Sequence, residues 1–494
     1  MKLPFKYFRA LLLPFLVSLA FLMNGCSGNF ESAQKVEKQA HIFPEYYDLT
    51  LPPNIAPFNF VIREEGSRFR VEIRAGESDP IVIRQRTTGI KIPLQKWQKL
   101  LSEHAGEELK VDLWSYSDRK WQKFKTIKHH IASEEIDPYL AYRLVNAVYL
   151  KWRDMGIYQR NLSSFEETPV IENSSTEHGC MNCHSFSGND PSKMLIHFRI
   201  LNSGTLLWND GKLTKIDTRT PASLSAGIYP AWHPGGKYIA FSTGQISPHL
   251  TSRMDKTVDV ADRASDLVIY DIEKNQVRSS PVVSSERREN MPVWSPDGRS
   301  LYYISAPPAI EGDDESLLHS RYSLMCVPYS INLNKWGEPE MVLDADSTGM
   351  SISMPAISPD GRYMVCSMSD YGYFTIFHKE SDLYCIDLES REFRKLEVNS
   401  ESAESFSSWS ANGRWLVFSS KRMDDVFSRP YIAYFDKSGK AHKPFVLPQK
   451  DPEMYYSLLA NYNLPKMITG RIELDPEEIQ ARVMEKPDRV KQGF

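Results

Sequence analysis

Four stretches of this chain repeat one pattern. They read YPAWHPGGKYIAFS from Tyr229 to Ser242, MPVWSPDGRSLYY from Met291 to Tyr303, MPAISPDGRYMVC from Met354 to Cys366 and SWSANGRWLVF from Ser408 to Phe418. Each is an apolar strand, a turn built from Pro, Asp, Asn or Gly, and a second apolar strand. The copies recur roughly every 50–60 residues, so each repeat holds several strands, and a long period of this kind means propeller blades. A second echo sets Ser265-Asp266-Leu267 with Asp271 against Ser381-Asp382-Leu383 with Asp387, a third strand at the same place in two repeats. The turn carboxylates Asp297 and Asp360 cap their own backbone. Their recurrence gives them a structural task rather than a catalytic one.

The first expected blade is interrupted by Cys180-Met181-Asn182-Cys183-His184, a C-x-x-C-H haem c attachment pattern. Two thiols at this spacing can each add to one vinyl group of a haem, and the following His is then held against the iron as its proximal ligand. Two other readings compete. A redox C-x-x-C usually opens a helix in a thioredoxin-like βαβ unit, and none is visible. A zinc site needs a second Cys or His pair, and no C-x-x-C or H-x3-H follows.

The N-terminus speaks for export, the side of the membrane on which such motifs receive haem in bacteria. Lys2, Lys6 and Arg9 form a basic n-region, an apolar run follows from Ala10 to Met23, and Asn24-Gly25-Cys26 closes it. The run is short for a membrane span. A Cys after Gly at this place resembles a bacterial lipobox, which implies that Cys26 is the lipidated first residue of the mature chain. Met23 and Asn24 depart from the commoner residues, and ordinary signal-peptide cleavage is the alternative. Ser27 follows, so the Asp retention signal of such lipoproteins is missing and passage to an outer membrane is allowed.

The repeats resemble the WD40-like propeller repeat of TolB-type proteins, which carry W-S-P-D-G, a basic residue and an apolar strand. The resemblance covers about residues 179–448. With the lipobox and the single C-x-x-C-H, the chain is similar to a family of TolB-like, haem-bearing exported lipoproteins. It implies a mainly β chain: a TolB-like β-propeller of five or six blades, preceded by a small β-sandwich-like domain.

The repeat also ranks candidates for the sixth iron ligand. Setting Lys193–Phe198 against Lys237–Ser242 puts His197 in the slot that holds Phe241, Tyr303, Cys366 and Phe418 elsewhere. A buried, unpaired imidazole costs a few kcal/mol, and an iron bond would relieve it. Met194 is the rival. Residues three apart on a strand face opposite sides, so one of the two should face the haem, and the pattern favours His197. A core His bonded to a neighbour is the plainer alternative. His178 reads as a loop residue.

The remaining chain divides as leader 1–26, polar tether 27–50, N-terminal β domain 51–132, helical linker 133–160, propeller 161–450 with the haem in its first blade, and tail 451–494. In the linker, Leu140, Leu144, Val148 and Trp152 carry helical spacing after Pro138, and Pro93–Leu101 suits a short helix. Trp114, Trp121 and Trp152 read as packing residues. Asp259, Asp262 and Asp266 read as a solvated or turn-capping set rather than a cation site. In the tail, residues 476–483 suggest a short helix and the charged end a loose one. Beyond Cys26, Cys180 and Cys183, the cysteines Cys326, Cys366 and Cys385 allow at most one disulfide, so this is not a disulfide scaffold. Net charge is −4 and becomes more acidic without the leader, which argues against nucleic acid.

Three functions are compatible with this pattern: electron transfer or redox-linked binding in the cell envelope through one covalent haem c; a protein- or glycan-binding propeller whose haem is structural or sensory; and a haem enzyme with an open iron position. A propeller peptidase is disfavoured, because few residues follow the last repeat and no G-x-S-x-G occurs. Partners on this reading are a redox protein or a protein or glycan ligand, with the membrane reached through the lipid.

Overall fold

The structure, a computed structural model, describes residues 30–146, 154–253 and 255–493, with the backbone but not the side chain of Cys183. The Cys26 expectation lies outside these residues. The chain is mainly β. Among the described residues, six sheets of four or five strands follow one another. Five begin with a repeat-type strand: Cys180–Ser187, Ile228–Trp232, Arg288–Trp294, Ser351–Ile357 and Glu404–Trp409. The echoed third strands are Val258–Asp271 and Asp382–Asp387, with Asp271 opposite Tyr238 and Asp387 opposite Tyr363. The remaining sheet is composite. Tyr139–Asn146, Met155–Asn161 and Glu167–Glu172 form its outer part, and Ala460–Ile468, from near the C-terminus, is its innermost strand. The innermost strands touch in a closed cycle, each against the next and Ala460–Ile468 against both Glu404–Trp409 and Cys180–Ser187. This is a β-propeller, closed by pairing the two ends of the repeat region.

Every innermost strand carries one extra residue, a β-bulge, at an equivalent place. In five of them a non-glycine residue there has positive φ: Tyr229, Met291, Met354, Phe406 and Leu464. Strain of this kind persists only where surrounding packing holds it. These five side chains belong to one apolar cluster with Tyr322, Ile352 and Tyr373. The bulge turns a large side chain inward at each position, and their mutual burial offsets the backbone cost.

The turns behave as their composition demands. Asp297 Oδ1 accepts from Arg299 N at 3.0 Å, Asp360 Oδ1 from Arg362 N at 3.2 Å and Asn412 Oδ1 from Arg414 N at 3.0 Å.

The structure departs from expectation at both flanks. Residues 139–146 are a strand, not a linker helix, because Tyr139–Asn146 finds partners on both edges, Met155–Asn161 and Ala460–Ile468. Pairing on two sides outweighs a helical spacing carried by a few apolar residues. The propeller therefore starts near residue 139, and the motif strand opens its second sheet. Residues 34–39 are a strand paired with Lys120–Lys125, so the polar stretch expected to be a tether is not one there. In the tail, helix Pro476–Met484 is capped by Asp475, whose side chain accepts from Glu477 N. The very end is not loose: Asp488–Arg489 and Lys491–Gln492 pair with the outer edges of two sheets.

The N-terminal region holds a seven-stranded sheet, a three-stranded sheet and helix Leu94–Glu103. Its core runs without interruption into the sheet that begins at Glu404. Trp415, fully buried, donates from Nε1 to the Glu134 carbonyl at 3.1 Å, and Asp137 accepts from Ala411 N and Asn189 Nδ2, both at 2.9 Å. Trp114 is buried and Trp121 half-buried. No helix among the described residues is long and apolar enough to cross a membrane.

If the closing strand belongs to the core, Ile468→Ala should lower unfolding free energy by about 2–4 kcal/mol, while the exposed Leu333→Ala should change it by less than about 0.5 kcal/mol. Urea titration of both variants checks this; equal effects would place Ala460–Ile468 outside the cooperative unit.

Candidate haem site on the second innermost strand

Cys180–Ser187 pairs with Asp190–Arg199, Cys180 opposite Arg199, Asn182 opposite His197 and His184 opposite Ile196. Cys183 is the extra residue. The register makes the equivalence exact in position: Cys183 takes the slot of Pro230, Pro292, Pro355 and Pro465, and Asn182 the slot of the five inward side chains. Proline suits that slot because a bulge residue leaves the ladder and needs no N–H partner. Cysteine there keeps the geometry and adds a thiol. Asn182 breaks the apolar ring at its sixth position, and Arg143 compensates. Its guanidinium donates to the Met181 carbonyl at 2.7 Å, to Asn182 Oδ1, and to Asn463 Oδ1 at 2.8 Å. One side chain thus ties the motif strand to both strands of the closing pair.

Cys180 is buried, with Asn182 Oδ1 and Arg199 Nη2 each 3.9 Å from its sulfur. His184 is 2% exposed and meets Phe186 edge-to-face at 6.0 Å. Burial, helped by the nearby cations Arg143 and Lys466, pushes its imidazole down to about 3, so the ring is neutral at physiological pH. The Ala141 and Leu464 carbonyls lie near enough to oppose that shift, yet neither ring nitrogen completes a hydrogen bond. A buried neutral imidazole held only by these loose backbone contacts keeps the lone pair a metal needs.

The two candidates for the far side of an iron separate cleanly. Ile196 faces His184 across the ladder, and Met194 lies two residues away on the same strand, opposite Phe186. Met194, Ile196 and Phe198 pack in one cluster with Met181 and Cys180. His197 has the intervening parity and faces the other side of the sheet, where Leu195 packs. Its Nδ1 lies 3.0 Å from Thr205 Oγ1. Burial lowers its pKa to about 4, with Arg199 adding to the effect. The slot equivalence expected from the repeat is met, but the inference that His197 needs iron is not required: Thr205, directly opposite on the next strand, satisfies it. His178 sits after the short 3₁₀ turn Asn173–Thr176, with positive φ.

The fit to a haem is therefore mixed in kind. The donor set, two thiols and an unbonded imidazole, is right. The backbone there is an extended strand whose one extra residue is Cys183. Among the described residues, no group of three or more His, Cys, Asp or Glu is arranged to hold a metal ion. Cys326, Cys366 and Cys385 are free and buried.

The acidic set at 259–266 disperses. Asp259 Oδ1 lies 2.8 Å from His378 Nε2; Asp262 accepts from Ser265 Oγ at 2.7 Å and Tyr322 Oη at 3.0 Å; Asp266 is half-buried. A cavity of about 470 Å³ lined by Glu134, Asp360, Arg362 and Arg414 lies at the repeat turns and includes no residue of the motif.

No protein-family model matches the chain, and no curated protein does. Among solved structures it is similar to a chain of a nidogen–laminin complex, at 8% identity and TM-score 0.39, over 67% of this chain and 99% of that one. It is similar to the Swd1 (Cps50) β-propeller domain of Myceliophteria thermophila at 12% identity and TM-score 0.33, over 54% and 71%. The tricorn protease is matched at 12% identity and TM-score 0.33, over 83% of this chain but 36% of that one.

Arg143→Ala should cost about 2–4 kcal/mol of stability, because it leaves the Met181 carbonyl and two side-chain oxygens without donors at the closure. Chemical denaturation measures it; a loss below about 0.5 kcal/mol would mean that the closure does not depend on this side chain.

Proposed function

We propose that the chain is an exported, lipid-anchored electron-transfer protein: a TolB-like propeller of six blades with one haem c on its second innermost strand. The observation that carries this reading is the buried, neutral His184 imidazole on the same strand as Cys180 and Cys183, which stand at attachment spacing in the sequence. On this reading Cys180 and Cys183 would hold the haem through thioether bonds, and His184 would offer a ring nitrogen to its iron. The bound group supplies one-electron redox chemistry.

The chain's own residues do the rest. Met194 shares the His184 face and replaces His197 as the preferred sixth ligand, since one iron cannot bond side chains on opposite faces of a sheet. His184 is closed over by its neighbours. Phe186 and the surrounding apolar cluster exclude water, which holds the potential through low local polarity. Partners on this reading are a redox protein at the cell envelope, and the membrane through Cys26.

Protein made in a host that matures cytochromes c should keep its colour through acid–acetone extraction, and Met194→Leu should convert a low-spin spectrum to high spin while His197→Phe leaves it low spin. The reverse pair of spectra would return the sixth ligand to His197, and a colourless protein would end the haem reading.

Cys26→Ser should move the protein from the membrane pellet to the soluble fraction, since an acyl anchor is what holds it there; unchanged fractionation would remove the anchor.

A further inference from the structure

The seven-stranded N-terminal sheet has one face in the core and one face outward. Phe69, Val71 and Ile73 point to the core, as do Leu109, Val111, Leu113 and Phe124. By parity the other side of the same strands carries Arg68, Arg70, Glu72 and Arg74, with Asp112, Trp114 and Tyr116 opposite them; Arg70, Glu72, Asp112 and Trp114 are buried in the middle of this side, and the exposed charge lies around them. Trp121, Lys123 and Lys125 continue this outward face on the next strand, and Lys35 lies beside Lys123 on the edge strand.

The charges on this face do not balance. Glu72 is held by Arg70 and Arg74, and Asp112 by Arg74 and Lys123 at 3.1 and 3.0 Å. Lys35, Arg84 and Lys125 are exposed and form no ion pair among the described residues; the exposed carboxylates nearest them in sequence are Glu31 and Glu37 beside Lys35 and Asp79 before Arg84. Aromatic rings are interleaved with the cations. Lys123 Nζ lies 4.8 Å from the Trp114 ring centre, and Tyr116 and Trp121 pack at 5.2 Å.

The chain arrives at this face from the leader. Phe30 lies on the outward side, its ring centre 3.9 Å from the Arg70 guanidinium carbon and 6.2 Å from the Trp114 ring. Ser27, Gly28 and Asn29 are all that separate it from Cys26. Four residue steps span at most about 14 Å even when fully extended. A lipid on Cys26 would therefore hold this side of the sheet near the bilayer.

We infer that the outward face of the N-terminal sheet, from Lys35 across Lys125 and Trp121 to Arg84, docks on anionic phospholipid headgroups and sets the orientation of the propeller on the membrane. The inference rests on the lipid anchor at Cys26 proposed above. Its chemistry is that of other membrane-surface patches: basic side chains draw the face to phosphate, and Trp and Tyr sit at headgroup depth. The short connection to Cys26 raises the local concentration of bilayer at this face, so weak headgroup contacts suffice.

The test uses the full matured chain in vesicles of phosphatidylcholine alone or with phosphatidylglycerol, footprinted with an amine-acetylating reagent and read by mass spectrometry. Labelling of Lys35 and Lys125 should fall at least about fivefold with phosphatidylglycerol, the weight of one basic side chain at an anionic surface, while the exposed Lys274 and Lys440 on the propeller keep their rates. Lys123, protected in the wild type by the same vesicles, should lose that protection in Lys35→Glu/Lys125→Glu protein while the protein still pellets with them. Pelleting without protection of Lys35 and Lys125 overturns the docking face and leaves the anchor standing. Failure to pellet, with wild-type and Cys26→Ser protein alike in solution, overturns the anchor and the inference with it. Protection that is equal in both vesicle types, or that appears in detergent and rises with protein concentration, overturns headgroup recognition, the latter by assigning the face to a second copy.

Discussion

The ring depends on one strand pairing made across almost the whole repeat region. Tyr139–Asn146 has an edge that Ala460–Ile468 fills, and Arg143 meets Asn463 from 320 residues away. Without that pairing two strand edges would stand open, each a row of unpaired backbone groups. The entropy of closing so long a loop grows only slowly with its length, so the cost is modest beside a fully paired ladder and the burial of Ile468 and Met467. The N-terminal region adds to the same end of the structure. Its core is continuous with that of the sheet beginning at Glu404, and Asp137 bonds to turns from two different sheets.

The motif strand sits at this seam. Its contact with the closing pair is apolar through Ala141 and Ile468 against Cys180 and Met181, and polar at the middle of the ring, where the other five innermost strands carry large apolar side chains. Asn182 and Arg143 make that difference.

Parity in the strand then decides what the imidazole can share. Two residues on one strand reach the same face, and three do not. His184, Ile196 and Met194 lie on one side, Leu195 and His197 on the other. The bulge at Cys183 is what brings His184 into this parity. It is the same local irregularity that in five sister strands turns Tyr229, Met291, Met354, Phe406 and Leu464 toward the middle. A single backbone device therefore serves packing in most of the ring and positions a chemical group in one sheet.

The repeats were legible because a turn of fixed composition between apolar strands is local: the Asp297, Asp360 and Asn412 side chains cap backbone two residues away, and the spacing of the third strand follows from Asp266 and Asp382. The thiols and histidine of the motif were legible for the same reason, as was the slot equivalence of His197 with Phe241. What sequence could not settle was everything that depends on a partner far along the chain. Residues 139–146 carry a helical spacing, yet they are a strand, because the partner on one edge lies beyond residue 459. The polar run 34–39 reads as tether until Lys120–Lys125 is placed beside it. His197 looks like a core histidine in need of iron until Thr205 stands opposite. In each case the local pattern is compatible with two outcomes of similar free energy, and a non-local pairing, which buries backbone polar groups that must be satisfied, chooses between them.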